Sequence, residues 1–130
     1  GMASASIPAT SRNTNSSILF LTGHNTNGEM PDDINWQAVA KIPVVVMYMA
    51  IKHLPIIAQR LIKEGRSSQD CVAVIQDATL PSERILESNL ININSDIEKN
   101  QIKAPAIVVL GPVVGLRSKL IQNVIKDAIN

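Results

Sequence analysis

The stretch from Pro43 to Gly65, PVVVMYMAIKHLPIIAQRLIKEG, constrains the fold more than any other part of the chain. Val44, Val45, Val46, Met47, Tyr48 and Met49 form an apolar run without alternation. Such a run suits a strand covered on both faces, as in the centre of an α/β sheet. Leu54, Ile57, Ala58, Leu61 and Ile62 then recur at helical spacing, which predicts an amphipathic helix. Pro55 falls in the first helical turn, where its missing N–H costs nothing, and Gly65 closes the helix as a left-handed cap. The turn Tyr48-Met49-Ala50 therefore lies at the carboxyl end of a buried strand, the place where open α/β sheets hold ligands.

Further buried strands are predicted at Ile18 to Thr22, Cys71 to Ile75 and Ala106 to Leu110, with an edge strand over Glu83 to Leu90. Asn35 is a suitable N-cap for a short helix carrying Trp36, Val39 and Ala40. Ile93 and Ile97 share a face in an Asn-rich, weakly helical stretch, and Pro105 marks a boundary. Leu120, Ile121, Val124, Ile125 and Ala128 give a last helix its apolar stripe. Strands alternating with helices define an α/β class. The expectation is a single three-layer domain over 17–130, with a mixed sheet of about five strands and about four helices. Residues 1–16, small and polar, read as an arm or linker, and Gly1 before Met2 has the form of a tag remnant.

With 130 residues the chain is long enough to bury a core without staples. A net charge of +1 and an aromatic content of 2% offer neither a basic field nor a stacking platform, which excludes nucleic acid as a partner. No apolar run reaches the roughly 20 residues a membrane helix needs, and no signal peptide is visible, so the reading is cytoplasmic. The single cysteine, Cys71, reads as a buried structural thiol.

No nucleophile–base–acid set is legible. His24 and His53 lack metal-ligand spacing and read as a turn histidine and a first-turn helix residue. Asp32 and Asp33 read as solvated loop charges, and neither a GxGxxG nor a GxxxxGK[ST] motif is present. What remains is three small-residue turns after buried strands: Tyr48-Met49-Ala50, Asp77-Ala78-Thr79 and Gly111-Pro112. Small residues let backbone groups approach a ligand closely, although most α/β domains have such turns and ordinary chain reversal is the commoner reason for them.

Together with their surroundings these turns resemble the C-terminal domain of the uroporphyrinogen-III C-methyltransferases, a branch of the tetrapyrrole methylases. Residues 6–12, SIPATSR, resemble that family's GIPLTHR, and ILFLTGH at 18–24 resembles VTFVTGH. PDDINW at 31–36 resembles PDDLDW, VMYMA at 46–50 resembles VFYMG, and QDAT at 76–79 resembles ENGT. Glu83-Arg84 stand for its QR, APAIVVLGPVV at 104–114 resembles SPALIVVGEVV, and Leu116-Arg117 resemble its ALR.

The resemblance implies S-adenosyl-L-methionine as cofactor, with S-adenosyl-L-homocysteine as product. It implies methylation of two pyrrole-ring carbons of uroporphyrinogen III to precorrin-2, on the way to sirohaem and cobalamin. It places the cofactor beside Tyr48, Met49, Ala50, Ala78, Thr79, Gly111 and Pro112, and the tetrapyrrole near Thr10 and Arg12. It implies a homodimer in which this chain is the cofactor-side half, the family's N-terminal domain and glycine-rich loop being absent. Departures are Ser11 for the THR histidine and Ala50 and Ala78 for family glycines, where an added methyl could crowd the adenosyl group or forbid a positive φ. The expectation is a chain that does not methylate alone. A non-catalytic remnant serving as a dimerisation or partner-binding module is the alternative, and an unrelated α/β nucleotide-binding domain a third.

Overall fold

The computed structural model describes residues 18–23, 28–31 and 33–115. Five strands form one sheet: β1 (Ile18–Thr22), β2 (Val44–Tyr48), β3 (Cys71–Gln76), β4 (Arg84–Asn89) and β5 (Ala106–Leu110), in the spatial order β1-β2-β5-β3-β4. β1 and β2 run parallel, and every other pairing is antiparallel. The mixed five-stranded α/β sheet expected from the sequence is therefore present. Three α-helices are described: α1 (Trp36–Val39), α2 (Leu54–Lys63) and α3 (Ile93–Asn100). The anticipated last helix, and the arm carrying Thr10 and Arg12, lie outside the described residues. None of the described helices is long and apolar enough to cross a membrane.

The unbroken apolar run of β2 follows from its place inside the sheet. Val45 and Met47 face the helices, where they join Leu54, Ile57, Ala58 and Leu61 of α2, Trp36 and Val39 of α1, and Ile93 of α3. Val44 and Val46 face the other way, joining Ala73, Ile75, Ile107, Val109 and Val114. Fully burying one such aliphatic side chain contributes about 1.5–3 kcal/mol, so the inward stripe of α2 holds that helix far more firmly than its propensity could.

Local signals in the sequence act as expected. The Asn35 side-chain oxygen accepts from the Ala38 N–H at 3.1 Å and caps α1. A 3₁₀ turn, Ile51–His53, leads into α2, and Pro55 sits in the first turn. At its end Gly65 adopts φ +106°, while Gly65 N–H donates to Ile62 O and Arg66 N–H to Leu61 O, a paired closure that favours glycine. The Asn-rich stretch becomes α3 because Ile93 is fully buried and Ile97 packs beside it. Gln101 rather than a glycine takes the left-handed position after that helix.

Arg66 ties the far edge of the sheet together. Its side chain is 5% exposed and donates to Asp70 Oδ2 at 2.8 Å, Ile42 O at 2.5 Å and Pro43 O at 2.9 Å. Nothing in the apolar periodicity marks it as a core residue.

Candidate functional site

β5 runs antiparallel between β2 and β3, so one edge of the sheet gathers the carboxyl ends of β2 and β3 and the amino end of β5. In that final row Tyr48 pairs with Ile107, and Ile107 with Ile75. The three side chains belong to the face turned away from α1–α3 and form the base of a cavity of about 760 Å³, within the usual range for a small-molecule site. One wall is Met49, Ile51 and Lys52, following β2. A second is Asp77, Ala78 and Leu80, following β3, and a third is Ala104, Pro105 and Ala106 at the start of β5. Met49 and Leu80, each more than half exposed, turn apolar side chains into this opening.

The turns that form the walls are backbone-strained. Met49 has φ 53°, Asp77 φ 52° and Thr79 φ 70°, left-handed values that are uncommon for non-glycine residues. Ala50, by contrast, is right-handed at φ −105°, because its carbonyl opens the 3₁₀ turn by accepting from His53 N–H. Ala78 is likewise not at positive φ. The positive φ anticipated at these two alanines does not arise, since the left-handed positions fall on their neighbours.

The charge in the cavity lining is sparse: one ammonium, Lys52, and one carboxylate, Asp77, whose Oδ2 accepts from Ser82 Oγ at 3.1 Å. The Tyr48 phenol, stacked near Phe20 with ring centroids 6.4 Å apart, is pushed above its usual value by burial. The Asp77 N–H donates to Pro105 O at 3.1 Å, which locks the second wall to the third.

The structure divides the residues named from the sequence. Tyr48, Met49 and Ala78 come together in the cavity lining. Ala50 is wholly buried behind the Met49 turn, and Thr79 is exposed on the outer side of its own turn. Gly111 and Pro112 do not join them. β5 enters the sheet at the cavity and leaves at the opposite edge, so its carboxyl end lies away from the cavity. There Gly111, at φ +132°, is pressed against Pro43, and Pro112 borders a separate polar recess with Arg66. Ala104-Pro105-Ala106 take the place assigned to that turn, and the Pro105 boundary was the available signal. His53 hydrogen-bonds Gly28 O through Nε2 at 2.9 Å, as a structural turn residue does.

The family model for tetrapyrrole (corrin/porphyrin) methylases matches residues 1–94. A uroporphyrinogen-III C-methyltransferase of a Sinorhizobium species is 46% identical over 121 residues, covering 92% of this chain and 43% of that relative. A sirohaem synthase of Azotobacter vinelandii is 40% identical over 117 residues, or 89% of this chain and 25% of the relative. The chain thus spans less than half the length of these relatives. Among solved structures, the uroporphyrin-III C-methyltransferase of Thermus thermophilus in complex with S-adenosyl homocysteine aligns at a TM-score of 0.73 and 25% identity, covering 83% of this chain and 47% of its own. A cobalt precorrin-4 methyltransferase shares the fold at a TM-score of 0.70 with 19% identity. With a matching family model across most of its length and the same sheet as these enzymes, the chain belongs to the tetrapyrrole (corrin/porphyrin) methylases.

Proposed function

We propose that the cavity at the β2/β3/β5 edge is one side of an S-adenosyl-L-methionine site, and that the chain serves C-methylation of uroporphyrinogen III to precorrin-2 in sirohaem and cobalamin biosynthesis. The observation that carries this reading is the cavity itself, apolar on three walls and sized for an adenosyl group. A flat purine and ribose suit walls built from Met49, Ala78, Leu80 and Pro105. Lys52 and Asp77 offer opposite charges to the zwitterionic amino-acid end.

When bound, S-adenosyl-L-methionine supplies a methyl already activated by its sulfonium. The protein then has to hold donor and carbon nucleophile in line and keep water away, and the present residues contribute apolar walls and fixed backbone turns to that task. No nucleophile or acid–base pair is required of them, in keeping with a lining that carries one carboxylate, already engaged by Ser82.

We infer further that these 130 residues do not methylate by themselves and that the chain works as a cytoplasmic homodimer. The resemblance to the uroporphyrinogen-III enzymes supports both, along with a tetrapyrrole partner met through Thr10 and Arg12. Titration calorimetry with S-adenosyl-L-homocysteine tests the central reading. A Kd in the micromolar range, about −8 kcal/mol, is expected, and no heat at about millimolar ligand would overturn it. Light scattering at high concentration tests the dimer, which a monomer would refute. Incubation with reduced uroporphyrinogen III is expected to give no precorrin-2.

A further inference from the structure

The turn between β3 and β4 brings Ala78 and Leu80 to the cavity, and its backbone carries two of the four non-glycine residues at positive φ among the described residues. Asp77 and Thr79 hold φ 52° and 70° on either side of Ala78. Such a backbone persists only where its surroundings over-determine it. Main-chain bonds from Leu80 N–H to Asp77 O and from Glu83 N–H to Leu80 O close the turn from within. Two side chains add to them. Ser82 Oγ donates to Asp77 Oδ2 at 3.1 Å, and the Glu83 carboxylate accepts the Thr79 N–H at 2.8 Å.

Both bonds end on a carboxylate, but the Glu83 bond is the shorter and is the one that grips the backbone N–H of a left-handed residue directly, which makes it the closer constraint on the turn. Glu83 is itself outside the cavity lining. We propose that Glu83 is a positioning residue for the cofactor site: by accepting the Thr79 N–H it fixes the left-handed turn and so holds Ala78 and Leu80 against the bound adenosyl group. This inference rests on the cofactor reading of the cavity. It separates the 77–83 turn into two functions, with Ala78 and Leu80 forming a surface for the ligand and Glu83 setting where that surface stands.

The test compares Glu83→Ala, which removes the acceptor, with Glu83→Gln, which keeps an oxygen in its place. Two readouts are needed: amide hydrogen exchange at Thr79 by NMR, and the affinity for S-adenosyl-L-homocysteine. Glu83→Ala is expected to speed Thr79 exchange and to weaken binding, each by about tenfold, the scale of one lost charge-assisted hydrogen bond. Glu83→Gln should stay within about threefold of the parent in both, since a neutral acceptor keeps about half the strength of a charge-assisted bond. Exchange in the core strands β3 and β5 should be unchanged in either variant. An unaltered Thr79 N–H in Glu83→Ala, or a Gln variant as damaged as the Ala variant, would overturn the proposal. A parent chain that binds no S-adenosyl-L-homocysteine overturns the cofactor reading and the positioning role with it. A parent that binds beside a Glu83→Ala variant of equal affinity overturns the positioning role alone.

Discussion

Gly111 and Pro43 touch so closely that a Cβ on Gly111 would stand 2.2 Å from the Pro43 carbonyl oxygen. The same glycine holds φ +132°, a region closed to L-residues with a side chain, and its N–H donates to Cys71 O at 2.9 Å. The contact joins the end of β5 to the start of β2 on the edge opposite the cavity. Gly111→Ala combines a forbidden φ with a backbone clash, so a loss of about 3 kcal/mol or more is expected in urea unfolding. Ligand affinity of the folded fraction should be unchanged. A stable Gly111→Ala protein with weakened S-adenosyl-L-homocysteine binding would return this turn to the proposed cofactor site.

Arg66 governs the same edge. Its guanidinium occupies the carbonyls of Ile42 and Pro43 and the Asp70 carboxylate from a side chain that is nearly sealed from water. Arg66→Ala strands those acceptors, and about 2–4 kcal/mol of stability should be lost. Arg66→Lys cannot reach three acceptors with one ammonium and is expected to recover less than half of that. Chemical denaturation of both variants checks this: near-complete recovery in Arg66→Lys would show that the positive charge alone matters.

Much of this architecture was legible because burial leaves a local signature. The run from Val44 to Tyr48 announces a strand covered on both faces, and the spacing of Leu54, Ile57 and Leu61 announces the helix after it. Strand direction leaves no such mark. AIVVL reads identically in either sense, so the reversal of β5 that moves Gly111 away from the cavity and Pro105 into it was hidden until its pairing partners were known. The strained residues escaped for a related reason. Glycine advertises positive φ, yet here Met49, Asp77 and Thr79 adopt it under tertiary constraint, while Ala50 does not. The grip of Glu83 on Thr79 depends on a turn shape that no spacing rule encodes.

Tyr48 offers a pH readout that needs no ligand. Burial raises its phenol above the usual value of about 10. The folded chain therefore keeps the proton longer than the unfolded chain. Below the unfolded value both states are protonated and the contribution is intact. As pH climbs from there through the folded value, the unfolded state binds fewer protons and stability falls. Because the chain has one tyrosine, phenolate absorbance reports Tyr48 alone. Its midpoint should lie above that of the urea-unfolded chain, and Tyr48→Phe should flatten the part of the alkaline decline that begins near pH 10. A coincident midpoint in folded and unfolded chains would refute the prediction.

Gly23 reaches the cavity indirectly, through Ala50. A Cβ on Gly23 would fall 2.4 Å from Ala50 Cα and 2.9 Å from Met49 O, and the Gly23 N–H donates to Tyr48 O at 2.6 Å. The glycine thus acts as a spacer that lets the end of β1 lie flat on the turn carrying Met49. Gly23→Ala should cost about 1–3 kcal/mol by overpacking. Because the obstructed atoms are backbone of the cavity turn, it should also weaken S-adenosyl-L-homocysteine binding by about tenfold, a displacement of Met49 by a fraction of an ångström being enough. Ala50→Gly removes the neighbouring methyl yet leaves Ala50 Cα in the way, so the double variant should recover only part of the loss. The single Ala50→Gly change should leave affinity within about threefold while costing up to about 1 kcal/mol of stability, since this position is right-handed and has no need of glycine. Calorimetry on the four proteins of this cycle, with unfolding curves beside it, separates a displaced turn from a merely weakened fold. Full recovery of affinity in the double variant would place the obstruction at the Ala50 methyl instead of the backbone beneath it.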